Sequence, residues 1–592
     1  ACVQICPTGA LRDKEEYSEP PCQTGCPAGI DVARYVRLVG EGKNGEALAV
    51  IREKVPFPKV LGYICPHDCE IKCRRKELNE PIAIRNLKRY AAENDDGSWK
   101  ERVKTAPASG KNVAIVGSGP AGLTAAYYLA RLGHSVTVFE AASQPGGMMW
   151  SAIPRFLLPR EVLDEEIGEI LAAGVELKLD SPVEDVNRLL EDGYDAALLA
   201  IGLQQGGKLP IPGNEEAGVL TGLEFLRDVA MGKEVKLGDN VLVLGGGGVA
   251  CDVARTARRL GASHVAMACL ETRETMPAPE DDIRQTIEEG VDIHPARSFT
   301  RIVCEEGAAT CVECLDVTEM RFDQDGRLHL ETRPDSEHTL EADTVIFATG
   351  QGLDRRFTEA NDITLTPRGI ILADGDTMET NRRGVFASGD AVSGPASVVE
   401  AVHTGRKAAV SIDKYLGGEG LLKEQLTLER DNPSYMGREE DFYDRARVIP
   451  ALLPAEERVK NHRAVEQTLN PEQAGLEGGR CLRCDIRFAI SDPILPPRLK
   501  LWVDFIRENL DSVPEIEGVY TLYDEQENVI YIKGAINLRR ELTDRLGLND
   551  NARYFSHEEE PMYSKRETQL LQQYITRYGE MPEGNRELDD LF

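Results

Sequence analysis

The chain runs to 592 residues, 41% apolar and 29% charged, a folded, globular composition that excludes a wholly disordered or collagen-like polymer. At roughly 150 residues per domain, that length predicts about four domains rather than one compact fold. Asp and Glu total 100 against 69 Lys and Arg, and the formal charge of -31 argues against a chain built to track nucleic-acid phosphates. No run approaches about 18 apolar residues and no charged-then-apolar signal opens the chain, so no membrane span is expected and the sequence reads as cytoplasmic. It opens at Ala1-Cys2 inside a motif, with the expectation that further sequence lies upstream.

Fourteen cysteines are too sparse for a disulfide scaffold, yet seven fall before residue 74, the clustering of metal or redox sites. Cys2-x3-Cys6-Pro7 reproduces the last part of the bacterial ferredoxin run, in which thiolates wrap a cubane. Its first two cysteines are not in this chain, so Cys2 and Cys6 hold a cluster only if upstream sequence completes it. Next come Cys22-x3-Cys26-Pro27 and Cys65-Pro66-His67-Asp68-Cys69-x3-Cys73, separated by helical apolar spacing at Val32, Tyr35, Val36, Val39, Ala47, Leu48 and Ile51. Close thiolates at the ends of short helices suit soft metals, either a structural zinc ion or iron-sulfur clusters.

The segments PPCQTGCPAGIDV, GYICPHDCEIKCRR and EPIAIRNLKRYAAE resemble the helical double-cluster domain that opens the small subunit of bacterial glutamate synthase and dihydropyrimidine dehydrogenase. That resemblance implies two 4Fe-4S clusters, with more in a longer chain. Two departures from the family stand out. Its usual C-x2-C before the segment matching Cys22 is replaced by Glu15-Glu16-Tyr17-Ser18-Glu19, while Gly479-Arg480-Cys481-Leu482-Arg483-Cys484 far downstream looks like the missing element. The resemblance therefore implies Cys22, Cys73, Cys481 and Cys484 as one ligand set, leaving Cys26, Cys65 and Cys69 for the second. Relatives complete the second cluster with Gln or Glu, where this chain has Lys88, an ammonium with no lone pair to give, so its fourth ligand is unassigned.

From Lys111 to Glu140 the chain reads as strand, Gly117-x-Gly119-x-x-Gly122, helix, strand and terminal acid. Gly117 permits the tight turn, Gly119 admits a pyrophosphate, Gly122 lets helix and strand approach, and Glu140 suits ribose hydroxyls. Further on, the run Gly384 to Asp390 ending in Gly389-Asp390 resembles the element of two-dinucleotide flavoproteins whose acid binds the ribityl chain, which makes the first fingerprint the FAD site. Gly147 adds a glycine turn where these enzymes pass the flavin. A second fingerprint, Gly245-x-Gly247-x-x-Ala250, marks a nicotinamide site. NADPH-using relatives follow it with Tyr-Arg-Arg, and here Cys269-Leu270-Glu271 stands there. An acid at that place bonds a free 2′-hydroxyl and repels a phosphate, so NAD(H) is expected over NADP(H), with Arg273 the one cation able to reach a phosphate. Cys251, Cys269, Cys304, Cys311 and Cys314 read as packed small residues, since no redox pair precedes the second fingerprint.

Residues 421–510 read as an extended linker carrying the Cys481 pair. Beyond it, Glu517–Asp524 and Asn528–Ala535 alternate as two strands, and the last 80 or so residues resemble a GIY-YIG nuclease domain. Tyr520, Tyr531 and Arg539 match three of its functional places, but Leu571 or Gln572 falls where the metal-binding Glu belongs. With 18 acids against 9 bases in residues 511–592, the tail reads as a degenerate, protein-binding copy.

The expected architecture is α/β, with two Rossmann-like dinucleotide-binding domains: a discontinuous FAD domain at 106–215 and 345–420, and an NAD(P)H domain at 216–344. A ferredoxin-motif remnant at 1–20 and a helical iron-sulfur domain at 21–105 precede them, and a small α+β domain at 511–592 follows the linker. The resemblance, over residues 20 to 420, implies an NAD(H)-linked FAD and iron-sulfur oxidoreductase subunit akin to those of electron-bifurcating transhydrogenases. No catalytic side chain is recognisable, so flavin and clusters carry the chemistry. The expected partners are a redox subunit of a hetero-oligomer or a ferredoxin; nucleic acid is not expected.

Overall fold

The structure is a computed structural model that describes residues 19–322, 328–422, 424–427, 441–485, 502–546, 551–578 and 581–585. Cys2 and Cys6 lie outside the described residues. Two five-stranded parallel sheets dominate. In the first, Val385–Ala387, Ala196–Leu199, Asn112–Val116, Ser135–Phe139 and Val175–Lys178 lie side by side in that order. Their near-continuous apolar runs suit strands covered on both faces. The helix Pro120–Arg131 is buried along almost its whole length because the long helix Val398–Tyr415 packs across it. A methyl at Gly405 of that helix would stand 2.2 Å from the Ala121 carbonyl, so the two backbones touch.

The second sheet repeats the plan with Val219–Thr221, Thr344–Phe347, Asn240–Leu244, His264–Ala268 and Val291–His294. An antiparallel sheet built on the long strand Ala308–Phe322 covers one side. Where the chain passes out of the first half and back into it, Gln205–Gly206 and Gln351–Gly352 pair antiparallel as a two-strand ribbon between the halves.

Ahead of these lie four main helices, Val32–Gly40, Asn44–Arg52, Pro58–Ile64 and Ile84–Glu93. Their apolar faces share one core with the first sheet and the helix Pro471–Gly479. The stretch expected as an extended linker is, in its described part 441–485, a folded strap. Asn470 and Gln473 form a capping box that starts its helix, and the polar composition that suggested a linker serves buried ion pairs instead. The tail is a separate small α+β unit: Val503–Asp504, Tyr554–Glu559, Gly518–Tyr523 and Val529–Ala535 form an antiparallel sheet backed by the helices Leu538–Leu546 and Tyr563–Tyr578. Among the described residues no helix is long and apolar enough to cross a membrane.

Glu166 joins the N-terminal helices to the first half. Its carboxylate accepts the Lys59 and Val60 amides at 2.8 and 2.9 Å, capping the helix that leads into Cys65. Burial pushes this carboxyl up to about 7 despite Arg52 beside it. A folded-state value above the unfolded one means the proton is held more tightly in the folded chain. The stabilisation is therefore full below about pH 4.5 and declines as pH rises through 7. Glu166→Gln is expected to remove this part of the pH dependence, seen as a flatter unfolding temperature between pH 5 and 8 than the parent shows.

Candidate functional site

Between the two halves lies a cleft of about 640 Å³ lined from both sides. Gly117, Gly119, Glu140, Gly147 and Asp390 line it from the first half, Val249 and Asp252 from the second. Gly117 sits at φ +105°, with its α-carbon so close to the Ala200 carbonyl that a methyl would stand 2.4 Å from it. At Gly119 a methyl would meet nothing within 4 Å, leaving room for a phosphate at the N-terminus of Pro120–Arg131. Gly122 closes the turn, where a methyl would fall 2.1 Å from the Gly117 carbonyl. Glu140 accepts hydrogen bonds from the Ser118 amide at 2.9 Å and hydroxyl at 2.6 Å, which poises its carboxylate over the fingerprint. Gly389 donates its amide to the Thr404 hydroxyl, and Asp390 opens the short helix that follows. A long, glycine-floored cleft with an acid at each end fits an extended dinucleotide such as FAD.

The second fingerprint is built alike. Gly245 at φ +144° lies against the Ala348 carbonyl, and Gly247 caps the helix Gly248–Arg259. Ala250 is fully buried in the third place. The Glu271 carboxylate lies 3.1 Å from where a Gly246 methyl would be, so the acid overlooks the turn as Glu140 does in the other half. Arg273 donates to both oxygens of Glu280, at 3.0 and 2.7 Å. Cys251 and Cys269 are buried thiols raised to about 12 by burial, and Cys314 is likewise buried.

Seven of the predicted cysteine ligands gather at one end of the N-terminal helices. Burial raises the Cys22 thiol well above its ordinary value, and the neighbouring Cys481, Cys73 and Cys484 add to the rise. Cys481 reaches about 12 through burial and the nearby Cys484. Cys26, Cys65 and Cys69 form a second set: burial raises Cys26 and Cys69, Cys65 adds to both, and the nearby Lys88 ammonium opposes it. Lys88 itself is buried. Crowded, buried thiols are stable as thiolates only beside a positive centre, and this donor chemistry fits an iron-sulfur core. Among the described residues no three His, Cys, Asp or Glu side chains are placed to hold one metal ion.

The strap brings the last two thiols to this end. Glu477 is fully buried; it accepts the Ala83 and Val448 amides, each at 2.8 Å, and Arg480 at 2.7 Å. Arg480 also donates to the Arg445 and Glu80 carbonyls, and buried Arg75 donates to the carbonyls of Arg480 and Phe442. No sequence motif marks Arg75 or Glu477; the Asn470–Gln473 capping box is a local signal that this segment folds.

In the tail, Tyr520 and Tyr531 are buried in its core, and Arg539 donates to the Val513 carbonyl and Glu515. On its last helix, Glu567 pairs with Arg368 of the first half at 3.0 Å and accepts the Gly534 amide, while Gln572 donates to the Val392 carbonyl at 3.0 Å.

A parallel-sheet cleft with two dinucleotide turns, beside a helical domain carrying clustered thiols, defines a two-nucleotide flavin oxidoreductase with an iron-sulfur domain. Residues 111–405 match the family described as pyridine nucleotide-disulphide oxidoreductase, and residues 15–98 match dihydropyrimidine dehydrogenase domain II, 4Fe-4S cluster. Residues 496–577 match a domain of unknown function, which leaves the GIY-YIG likeness of the tail a resemblance only. The chain is 37% identical over 497 residues to the NADP(+)-dependent formate dehydrogenase subunit beta of Moorella thermoacetica, spanning 78% of this chain and 70% of that one. It is 32% identical over 403 residues to the NAD-dependent dihydropyrimidine dehydrogenase subunit PreT homolog of Salmonella typhi (67% and 91% covered). It is also 32% identical over 423 residues to the glutamate synthase (NADPH) small chain of Escherichia coli K12 (67% and 89%). The chain belongs to the glutamate synthase small-subunit-like family of FAD and NAD(P) iron-sulfur oxidoreductases. It is an NAD(P)H-dependent flavin iron-sulfur oxidoreductase.

Close packing holds the strap in place. A methyl at Gly478 would stand 2.7 Å from the Gly40 α-carbon, whereas one at Gly479 meets nothing within 4 Å. Gly478→Ala is expected to push the two helices apart and cost about 1–3 kcal/mol. A lowered unfolding midpoint for Gly478→Ala beside an unchanged Gly479→Ala would verify it.

Proposed function

We propose that the chain is an NAD(H)-linked electron-transfer subunit passing electrons between nicotinamide, FAD and two 4Fe-4S clusters. Cys22, Cys73, Cys481 and Cys484 ligate the first cluster, and Cys26, Cys65 and Cys69 the second. The observation that carries this reading is the gathering of seven thiols, drawn from both ends of the chain, into two sets. FAD supplies the conversion between hydride and single electrons. Gly117, Gly119 and Gly122 with Glu140, Gly147, Gly389 and Asp390 hold it. Gly245, Gly247 and Ala250 seat the nicotinamide dinucleotide.

The cofactor preference rests on Glu271. Its carboxylate accepts the adenosine ribose hydroxyls and repels a 2′-phosphate, and the cation that would reverse this, Arg273, is engaged by Glu280. The second reading, an NADP(H)-linked subunit, is favoured by the names of two relatives, the NADP(+)-dependent formate dehydrogenase subunit and the glutamate synthase (NADPH) small chain. Those relatives are named as subunits, and with no organic-acceptor domain recognised in the sequence, electrons leave to a redox partner subunit of a hetero-oligomer or to a ferredoxin. The tail is a protein-binding, GIY-YIG-like copy rather than a nuclease, because Tyr520 and Tyr531 are core residues and Glu567 is committed to Arg368.

Anaerobic mixing with NADH is expected to bleach the flavin at least tenfold more efficiently than NADPH. Parity of kcat/KM between the two nucleotides would refute the preference while leaving the enzyme class intact. Cys481→Ser is expected to lose the iron of one cluster and keep FAD, and full iron retention would refute the ligand set.

A further inference from the structure

The second half contributes two ionisable side chains to the flavin cleft that the reading above does not use, Arg227 and Asp252. Asp252 stands in the second turn of Gly248–Arg259, the helix the nicotinamide fingerprint opens, and lines the same cleft as Gly117, Gly147 and Asp390. Among the described residues its carboxylate has no hydrogen-bond or ion-pair partner, although two arginines follow on its own helix. Both are taken elsewhere: Arg255 donates to Glu289 at 2.9 Å and to Gln285 at 3.1 Å, and Arg259 donates to both oxygens of Glu289. The charge that acts on Asp252 most is instead another carboxyl, Asp282, on the helix Glu280–Glu288. Burial first, and then Asp282, hold the Asp252 carboxyl well above the ordinary carboxylate range, against the weaker pull of Arg255 and Arg259. Asp282 is raised by burial and by Asp281, opposed by Arg255, Arg85 and His67. The other charged groups of the cleft wall are Glu140, Arg227, Asp354 and Asp390.

A carboxyl whose ionisation is opposed both by burial and by a second acid holds a proton more tightly than an isolated one. Its ionised form is therefore a stronger proton acceptor than an ordinary carboxylate.

We propose that Asp252, backed by Asp282, is the group that takes the proton left on the flavin when its electrons depart singly. The balance requires one. A hydride brings two electrons and one proton to the flavin N5; the clusters accept only electrons, so each NADH oxidised leaves one proton to be removed. The N–H bond of the reduced flavin would break as an O–H bond forms on the Asp252 carboxylate, which would then release the proton to solvent. The inference rests on the enzyme class and not on the NAD(H) preference or on either ligand set.

The test uses the holoprotein, reduced anaerobically with dithionite so that nicotinamide plays no part, and reoxidised by ferricyanide in a stopped-flow. Flavin reoxidation in the parent should fall at low pH and show a solvent deuterium isotope effect. Asp252→Asn should slow it by about 100-fold and abolish both the inflection and the isotope effect, with FAD content unchanged. Asp282→Asn leaves Asp252 without its like-charged neighbour, so the inflection should move to lower pH with the plateau rate kept. Should Asp252→Asn lose its flavin, the Asp282→Asn profile decides alone. An unshifted profile there, or parental reoxidation in Asp252→Asn, overturns the proposal.

Discussion

One buried carboxylate, Glu477, holds together parts of the chain almost 400 residues apart in sequence. Its two amide partners come from different segments, Ala83 before the N-terminal domain's last helix and Val448 at the start of the strap, and its counter-charge is Arg480. Removing one member of such a pair strands a charge away from water and costs several kcal/mol, whereas the intact set satisfies every oxygen. Cys481 follows Arg480 directly, so the network that neutralises Glu477 also sets where the thiols of the strap arrive. Contacts this distant in sequence carry a loop-closure cost, and the N-terminal helices, the first sheet and the strap share one core.

The two nucleotide turns show how one plan serves two ligands. Both place a glycine at positive φ against the carbonyl of the neighbouring strand and an acid over the turn. They differ at the third position. At Gly122 a methyl would strike the Gly117 carbonyl, while Ala250 is accommodated in the other half, so the first turn is drawn tighter than the second. Selectivity between nucleotides then falls to the acid and whatever answers it: Glu140 is tied to the Ser118 amide and hydroxyl, while Glu271 lies open to the turn with Arg273 turned onto Glu280.

Local signals were legible and distant ones were not. The fingerprints could be read because spacing, strand and helix occupy some thirty consecutive residues. The thiol sets could be read because C-x3-C spacings are local and the displaced C-x2-C kept its own neighbours. The strap was misjudged for the opposite reason. Arg75, Glu477 and Arg480 look like solvent-facing charges until their partners, far away in sequence, are known, and Glu166 is an ordinary helix acid until Pro58–Ile64 is set against it. Tyr520 and Tyr531 match functional places of the resemblance by motif position, yet alternation alone cannot say which face of a strand meets the core, and both lie on it. Asp252 escaped notice because nothing in its neighbourhood marks a residue that faces a cleft formed by another domain.

The ribbon of Gln205–Gly206 and Gln351–Gly352 is too short to fix the second half against the first, so its orientation has to come from elsewhere. Direct packing contributes, with the Arg259 guanidinium 3.7 Å from the Phe156 ring of the first half, and charged groups of the accessory segments add to it. Arg458 of the strap reaches Glu288 at 2.6 Å, Arg540 of the tail reaches Glu319 at 2.6 Å, and Arg85 and His67 of the N-terminal domain act electrostatically on Asp281 and Asp282. Each joins a base or imidazole from an accessory segment to an acid of the nicotinamide half. The excess of acid noted at the outset thus has a structural use: acids of the nicotinamide half are answered by cationic side chains of the accessory segments. Arg458, Arg85 and His67 all act on the Glu280–Glu288 helix, whose Asp282 raises the Asp252 carboxyl, so anything that moves the iron-sulfur domain or the strap is felt at that carboxyl.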